Sequence, residues 1–264
     1  MIKKRLFFFD IDGTLYSQNA ENIPKQTCQL IQTLSQNPNN ILGIATGRNY
    51  NNLKIIDKIK PFFKYFVLAN GSFTLKNLLI FDKNPIPYDL VSQIILEIQD
   101  KKYKIFLIIV CFEINLFLKF GNENDANLIK KTKKQYNSVI DIQKLEPREE
   151  IFLINLFGED KDKINPFLEQ LDCFQIYYWH THTDLTMKNI NKSTGIVKIK
   201  QKYPDYELIC IGDGSNDLEM LKLADISIAM GNSEYPYIKK MANLITPHID
   251  DDSIYDFFKL HKLL

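Results

Sequence analysis

Cysteine is scarce in this sequence, and its distribution excludes two kinds of scaffold. The four cysteines in 264 residues are Cys28, Cys111, Cys173 and Cys210. They are widely spaced and lie in largely apolar surroundings, whereas a disulfide or zinc framework needs cysteines at characteristic spacings. The sequence therefore predicts buried free thiols in a reducing compartment.

Long apolar runs are also missing. The longest, residues 105–112, is far below the roughly 20 residues of a membrane-spanning helix. The apolar run near the start, residues 6–9, ends at Asp10 and is too short for the core of a signal peptide. We therefore expect a cytoplasmic protein without a membrane partner.

An excess of positive charge is absent as well. The formal net charge is +1, with 45% hydrophobic and 12% aromatic residues, so the sequence gives no reason to expect a nucleic-acid partner. The basic residues are 30 lysines and only 3 arginines. A length of 264 residues suits one large domain or a core with an inserted smaller one.

Both ends of the sequence alternate apolar, strand-like segments with helical ones. Strands are predicted at 6–9, 41–46, 65–70, 207–213 and 226–231. Helices are expected from Pro24, from the end of the second strand to about Lys60, and after the fourth of these strands to about Leu223. This alternation predicts an α/β fold with a Rossmann-like core, a parallel sheet covered on both faces by helices.

The middle of the chain follows another pattern. Strands are predicted at 104–112, 114–120, 151–157, 173–179 and 185–189. Helices are predicted at 88–100, in a lysine-rich stretch that follows the second of these strands and ends at about residue 136, and at 162–171. Strands that follow one another without a helix favour an antiparallel α+β module. We therefore predict a core formed by residues 1–83 and 190–264, interrupted by an inserted α+β domain at 84–189.

Reactive side chains stand where three predicted core strands stop. In chain order these are Asp10, Asp12, Thr46, Asp213, Asn216 and Asp217. Open parallel sheets bind ligands outside the carboxyl ends of their strands, so these side chains are expected at one edge. Lys192 lies where the chain returns from the inserted segment, and its ammonium could reach the same edge.

Several carboxylates at one edge would repel one another by several kcal/mol for close pairs. A divalent cation removes this conflict, and oxygen-only ligands favour Mg²⁺, which commonly bridges to phosphate oxygens. Together with the hydroxyl of Thr46, the amide of Asn216 and the ammonium of Lys192, the set predicts a site for a phosphoryl group.

The same residues resemble the motifs of a known family. DIDGT at 10–14, the threonine of ATGR, a downstream lysine and GDGSND at 212–217 resemble, in order and spacing, the four motifs of the haloacid dehalogenase-like (HAD) superfamily of phosphatases. The inserted segment resembles the cap of the Cof-type subfamily (subclass IIB). AMGN at 229–232 is similar to a segment common there.

Two departures from the family pattern are visible. The residues after Lys192 are Ser-Thr-Gly, where a single glycine is more usual, and Lys188, Lys198 and Lys200 are alternative third-motif lysines. The segment HIDDDSIYD near the end lacks a glycine expected after its acidic pair.

The resemblance implies a mechanism. Asp10 would attack phosphorus and form an aspartyl-phosphate, while Asp12 would protonate the leaving group and then activate water. The implied phosphate-binding residues are Thr46, Gly47, Lys192 and Asn216. The implied Mg²⁺ ligands are Asp10, the backbone carbonyl of Asp12 and Asp213. Asp217 would order a metal-bound water or Lys192.

The predicted function is Mg²⁺-dependent hydrolysis of small phosphate esters, such as sugar or nucleotide phosphates, by a monomer or small homo-oligomer. The aspartate at position 12 favours a hydrolase, because ion pumps of the superfamily carry threonine there. The alternative is a phosphomutase, which would need a phosphate-binding cap, and the inserted segment has one arginine, Arg148. A non-catalytic phosphate-binding protein is disfavoured because every catalytic position is filled.

The sequence does not determine which phosphate ester is the substrate. The inserted segment contains an aromatic and imidazole cluster, made of Tyr177, Tyr178, Trp179, His180 and His182. Trp179 and His180 are candidate substrate contacts, although packing between strands would explain such a cluster as well. Asn70 and Gly71, after the third strand, are further candidates.

Overall fold

The computed structural model describes residues 3–120 and 125–264. Its contacts divide the chain into two compact units. The first unit comprises Met1–Gly47, Leu53–Asp82 and Asn191–Leu264, and the second comprises Arg48–Asn52 and Lys83–Ile190.

Fourteen β-strands occur in the described residues. In chain order, β1 to β14 are Arg5–Phe9, Asn40–Ala45, Tyr65–Leu68, Phe73–Lys76, Leu79–Lys83, Phe106–Val110, Asn115–Lys119, Val139–Ile142, Leu153–Phe157, Phe174–Tyr178, His182–Met187, Glu207–Gly212, Ile226–Ala229 and Leu244–Ile245.

Eight α-helices occur in the same residues. In chain order, α1 to α8 are Lys25–Gln36, Tyr88–Lys101, Ala126–Gln135, Asn165–Gln170, Lys192–Lys200, Leu218–Leu223, Pro236–Met241 and Ile254–Leu260. None of the helices in the described chain has both the length and the apolar character needed to cross a membrane.

The sheet of the first unit runs in the order β14-β13-β12-β1-β2-β3-β4-β5. Its central strand, β1, is apolar apart from Arg5, is buried along its whole length and pairs in parallel with both β2 and β12. Apolar strands of this kind are typical of a parallel sheet covered on both faces. The predicted α/β fold with a Rossmann-like core is confirmed.

One end of this sheet differs from the prediction. The predicted third strand ends at Leu68, because Ala69 and Asn70 adopt left-handed backbone angles (φ 48° and 52°). The chain then adds two unpredicted strands, β4, which is antiparallel to β3, and β5.

The predicted helix after β2 is wrong. Residues Tyr50–Ile56 and Lys60–Phe62 form short 3₁₀ helices instead. The side chain of Asn49 accepts a hydrogen bond from the backbone N–H of Asn52 (3.1 Å). Such local bonds compete with the backbone pattern of an α-helix, so the asparagine-rich sequence disfavours one.

The second unit contains a sheet in the order β10-β11-β9-β6-β7-β8. Its neighbouring strands are antiparallel, apart from the parallel pair β7 and β8, and β8 was not predicted. One face forms an apolar core with Val91, Ile94 and Ile98 of α2. The predicted helix at 162–171 is shorter, Asn165–Gln170.

The four cysteines are free. Cys111 and Cys210 are buried, as predicted, whereas Cys28 and Cys173 are partly exposed. The prediction that all four are buried is therefore wrong for two of them.

Candidate active site

The loop after β1 presents two carboxylates and buries the residue between them. The backbone N–H of Asp10 donates to the carbonyl of Ile211 (3.0 Å), so the parallel pairing continues one residue past β1. Ile11 is completely buried, and its carbonyl accepts the backbone N–H groups of residues 14, 15 and 16. This tight turn explains the Asp-Ile-Asp pattern, because the isoleucine anchors the loop between two carboxylates.

Sheet register brings the other strand ends to the same edge. Phe9 of β1 lies opposite Ile44 of β2 and Ile211 of β12. Thr46 and Asp213 are each two residues further on, so both lie one row beyond the row of Asp10. The predicted convergence of these strand ends on one edge is what the register shows.

Lys192 is the first residue of α5, and the start of this helix is fixed in two ways. The side chain of Asn191 caps the helix by accepting the N–H of Ser193 (2.9 Å), and the N–H of Asn191 donates to Oγ1 of Thr194 (3.1 Å). Gly71 (φ 96°) lies so close that an added Cβ would be 1.9 Å from the carbonyl oxygen of Asn191. The unusual Ser-Thr after the lysine therefore builds the cap that fixes the helix start.

The ammonium of Lys192 lies between two carboxylates. Its Nζ donates to Oδ1 of Asp10 (2.7 Å) and to Oδ1 of Asp217 (2.7 Å), and its side chain is 1% exposed. The alternative lysines bond elsewhere, Lys188 with Asp172 and Lys198 with Asp82. Among the candidates for the third motif, these contacts favour Lys192.

Both carboxylate oxygens of Asp217 accept hydrogen bonds. Its Oδ1 accepts from Lys192, and its Oδ2 accepts the backbone N–H groups of Asp213 (2.9 Å) and Gly214 (2.8 Å). A carboxylate whose two oxygens are already engaged suits the support of a neighbouring ligand better than direct metal binding.

The carboxylates of Asp10, Asp213 and Asp217 are crowded. They offer oxygens that all lie within 4.8 Å of one another. Burial raises the pKa of Asp10 to about 7, with smaller contributions from the charges of Asp217 and Asp12 and against the opposing effect of Lys192. Burial, with the charges of Asp10 and Asp217, also raises the pKa of Asp213.

Lys192 stays charged in this setting. Burial alone lowers its pKa, but the adjacent Asp10 and Asp217 outweigh that effect and hold the pKa above its ordinary value. One ammonium cannot balance three carboxylates. Oxygen ligands with excess negative charge fit a hard divalent cation, so the residues present suit a metal ion.

Asn216 is held in place by a second asparagine. Its Nδ2 donates to Oδ1 of Asn70 (2.8 Å), and both side chains are buried. Asn70 is presented by its left-handed backbone (φ 52°). A Cβ added at Gly47 would be 3.1 Å from Oδ1 of Asn70, so Gly47 packs against the same side chain. The structure thus brings together Gly47, Asn70 and Asn216, next to Thr46.

A profile of the haloacid dehalogenase-like hydrolases matches residues 7–258. This chain belongs to that family. The predicted resemblance to the HAD superfamily is confirmed.

Curated relatives agree with this assignment. The hydrolase is 27% identical over 257 residues to the Bacillus subtilis protein named "Putative phosphatase YkrA", covering 95% of each chain. It is 26% identical to the 5-amino-6-(5-phospho-D-ribitylamino)uracil phosphatase YitU of Bacillus subtilis, covering 97% of each. The predicted enzyme class, a HAD-like phosphoric monoester hydrolase, is confirmed.

The fold is shared with solved structures. A HAD subclass IIB sugar phosphatase matches with a TM-score of 0.83 at 23% identity, covering 98% of this chain and 100% of that one. A Geobacillus kaustophilus protein matches with a TM-score of 0.84 at 23% identity, covering 99% and 100%.

The aromatic cluster of the hydrolase belongs to its second unit. Nε1 of Trp179 donates to Oδ2 of Asp184 (3.0 Å), and the ring of His182 stacks on Phe157 with centroids 4.9 Å apart. Packing within the unit therefore accounts for part of the cluster. His180 lies in the turn between β10 and β11. Substrate contact by Trp179 and His180 stays a prediction.

Sequence reasoning gave no role to two polar residues after β13. The hydroxyl of Ser233 donates to the backbone carbonyl of Asp213 (2.6 Å), and the amide of Asn232 donates to the carbonyl of Gly13 (2.8 Å). The same signal that found Asp10 and Asp213 was available here, because both residues follow the carboxyl end of a parallel core strand.

Proposed function

We propose that this hydrolase is a Mg²⁺-dependent phosphatase that cleaves small phosphorylated metabolites through an aspartyl-phosphate intermediate. The observation that carries the proposal is the buried ammonium of Lys192, bonded to Asp10 and Asp217 at the carboxyl end of the central strand. A buried carboxylate whose raised pKa is opposed by a neighbouring cation, beside a site for a hard metal ion, suits nucleophilic attack on phosphorus.

The first step transfers the phosphoryl group to the protein. A carboxylate oxygen of Asp10 forms a bond to phosphorus as the bond between phosphorus and the ester oxygen breaks. The electron pair of the broken bond leaves with the ester oxygen, which takes a proton from the carboxyl of Asp12. Asp12 is half-buried, and its charge acts on Asp10.

The second step releases phosphate. Water attacks the phosphorus of the aspartyl-phosphate, and the carboxylate of Asp12 takes the water's proton. The bond between phosphorus and the Asp10 oxygen breaks, so inorganic phosphate leaves and both aspartates return to their starting states.

The remaining site residues bind the phosphoryl oxygens and the metal. The proposed phosphate-binding residues are Thr46, Gly47, Lys192 and Asn216. Mg²⁺ would be held by Asp10, Asp213 and the backbone carbonyl of Asp12, with Asp217 ordering Lys192 and the 213–214 backbone. Bound Mg²⁺ would supply positive charge to the phosphoryl oxygens during transfer.

Sugar or nucleotide phosphates are the proposed substrate class. Support comes from two similar proteins. One is a phosphatase of 5-amino-6-(5-phospho-D-ribitylamino)uracil, and the other is a sugar phosphatase. A screen of phosphorylated metabolites that measures both phosphate release and isomer formation tests the proposal against the phosphomutase alternative. Phosphate release without isomer formation is the expected result. Cytoplasmic location and oligomeric state stay predictions.

Chelation should abolish activity. Three crowded carboxylates and a phosphate ester carry more negative charge than Lys192 balances, so EDTA in excess should reduce phosphate release to background, and added Mg²⁺ should restore it. A variant with Asp213→Asn should need more Mg²⁺ for half-maximal activity. Full wild-type activity in excess EDTA would contradict the metal requirement.

Asp12→Asn should separate esters by their leaving groups. A sugar phosphate releases a basic alkoxide that needs a proton, whereas p-nitrophenolate leaves largely unaided. Single-turnover formation of the phosphoryl-enzyme should therefore fall about 100-fold for the sugar phosphate and far less for p-nitrophenyl phosphate. With the nitrophenyl ester we expect a burst of nitrophenolate and then slow turnover, with phosphate trapped on Asp10. Equal losses with both esters and no trapped phosphate would leave Asp12 a structural or metal-binding residue.

A further inference from the structure

A residue outside the four motifs contacts the loop that carries Asp12. Nδ2 of Asn232 donates to the carbonyl oxygen of Gly13 (2.8 Å), and Gly13 directly follows Asp12 in the chain. Oδ1 of the same amide accepts the backbone N–H of Ile249 (3.1 Å). The two ends of one side-chain amide thus join the Asp12 loop to a segment near the C-terminus.

Gly13 is closely constrained, so a bond to its carbonyl constrains Asp12. Its N–H donates to the carbonyl of Tyr16 (3.0 Å), and its φ is 77°. A Cβ added here would be 2.4 Å from Oδ2 of Asp213. On the other side of Asp12, the side chain of Ile11 is completely buried. Asp12 therefore spans two fixed points, and Asn232 holds one of them.

The position of Asn232 is set by the sheet rather than by the loop it contacts. The N–H of Gly231 donates to Oγ1 of Thr246 (3.3 Å), and the N–H of Ser233 donates to the carbonyl of Met230 (3.0 Å). Ile249, which donates to Asn232, is itself buried. The amide is therefore a rigid donor placed by β13 and β14 and aimed at a loop that lies beyond the strand ends.

We propose that Asn232 is a positioning residue for the general acid/base, holding the Gly13 carbonyl so that the Asp12 carboxyl lies at the leaving oxygen. The proposal rests on the function given above, in which Asp12 transfers the proton. Small displacements of a catalytic group are costly, since a shift of about 1 Å lowers a rate by up to about 100-fold. Loss of the hydrogen bond to Gly13 should therefore slow phosphoryl transfer mainly from the ester whose leaving group needs a proton.

Two substitutions distinguish the two hydrogen bonds that the Asn232 amide makes. Asn232→Ala removes both hydrogen bonds, whereas Asn232→Asp keeps an acceptor for Ile249 but cannot donate to Gly13. Asn243→Ala is the matched control, because Oδ1 of Asn243 accepts from the N–H (2.8 Å) and hydroxyl (2.9 Å) of Ser227 near the opposite end of β13. Asp12→Asn provides the benchmark for complete loss of the proton donor.

The measurement is the single-turnover rate of phosphoryl transfer from a sugar phosphate and from p-nitrophenyl phosphate. In both Asn232 variants this rate should fall about 10-fold or more with the sugar phosphate and about 3-fold or less with the nitrophenyl ester. Asn243→Ala should leave the ratio of the two rates unchanged, even if its melting temperature falls as far as that of Asn232→Ala. If the alanine variant does not fold, the aspartate variant decides.

Three results would overturn the proposal, and they are distinguishable. Equal losses with both esters would show that Asn232 only supports the fold. A wild-type rate ratio in Asn232→Asp beside a selective loss in Asn232→Ala would show that donation to Gly13 is not what matters. If Asp12→Asn itself is unselective, the acid/base role of Asp12 fails and this proposal falls with it. A selective Asp12 variant beside unselective Asn232 variants rejects the positioning role alone.

Discussion

Asp10→Asn is expected to abolish turnover while the protein stays folded. An amide oxygen does not attack phosphorus, so the rate should fall by at least about 100-fold, and no phosphoryl-enzyme should form. The substitution keeps the shape of the side chain, and an amide oxygen can still accept the bond from Lys192. It also removes one of the crowded buried carboxylates, so the free energy of unfolding should not decrease.

The test compares phosphate release, acid-stable labelling of the enzyme and thermal unfolding. Asp225→Asn is a matched control, because this exposed aspartate accepts the N–H of Leu208 (2.7 Å) near the amino end of β12, at the opposite edge of the sheet. The control should keep wild-type activity. More than about a hundredth of the wild-type rate in Asp10→Asn, once deamidation is excluded by mass spectrometry, would reject Asp10 as the nucleophile.

Replacing Lys192 should damage both activity and stability. Loss of a fixed charge that meets the developing charge of the transition state costs about 3 kcal/mol, or about 100-fold in rate. Removing the cation also leaves Asp10 and Asp217 buried without their counter-charge, and breaking a buried ion pair typically costs about 3–5 kcal/mol of stability. Lys192→Met, which keeps the apolar stem, should show both losses.

The stability loss should depend on pH, with a sign that follows from Asp10. Burial raises the pKa of Asp10 to about 7 in the wild type, and removing Lys192 takes away the contact that lowers it. A protonated Asp10 needs no counter-charge, so the variant should be least destabilised at low pH and lose stability as pH rises through the pKa of Asp10. Denaturant unfolding in EDTA at about pH 5 and about pH 8 measures the difference.

Lys198→Ala is the control for Lys192. Lys198 lies on the same helix and pairs with Asp82 (2.6 Å), but its side chain is 42% exposed. Exposed pairs contribute at most about 1 kcal/mol, so this variant should keep its activity and most of its stability. Greater damage from Lys198→Ala or Lys188→Ala than from Lys192→Met would show that another lysine serves the site.

The sequence by itself determined the framework of the site. The apolar segments that end at Asp10, Thr46 and Asp213 are local features, and parallel strands necessarily bring their carboxyl ends to one edge. This is why the Rossmann-like core, the family and the grouping of carboxylates could be predicted without knowledge of any long-range contact. The identity of the third-motif lysine could only be narrowed, because several lysines lie within a few residues of one another.

The sequence did not predict the structure of short segments whose conformation depends on contacts with their neighbours. The segment after β2 has residues that can form an α-helix, but it forms a 3₁₀ helix. Side-chain hydrogen bonds, such as that from the N–H of Asn52 to Oδ1 of Asn49, compete with the α-helical pattern. The strands β4 and β5 were missed because residues 69 and 70 end β3 with left-handed angles that their sequence does not demand.

Only the tertiary structure decided how the site residues are paired. Lys192 and Asp10 are 182 positions apart, Asn232 and Gly13 are 219 apart, and Asn216 and Asn70 are 146 apart. Hydrogen bonds between such distant residues leave no periodic signal in the chain, because the partners are placed by different strands and helices. The sequence therefore predicts which groups reach the edge of the sheet, whereas packing selects which of them hold one another in position.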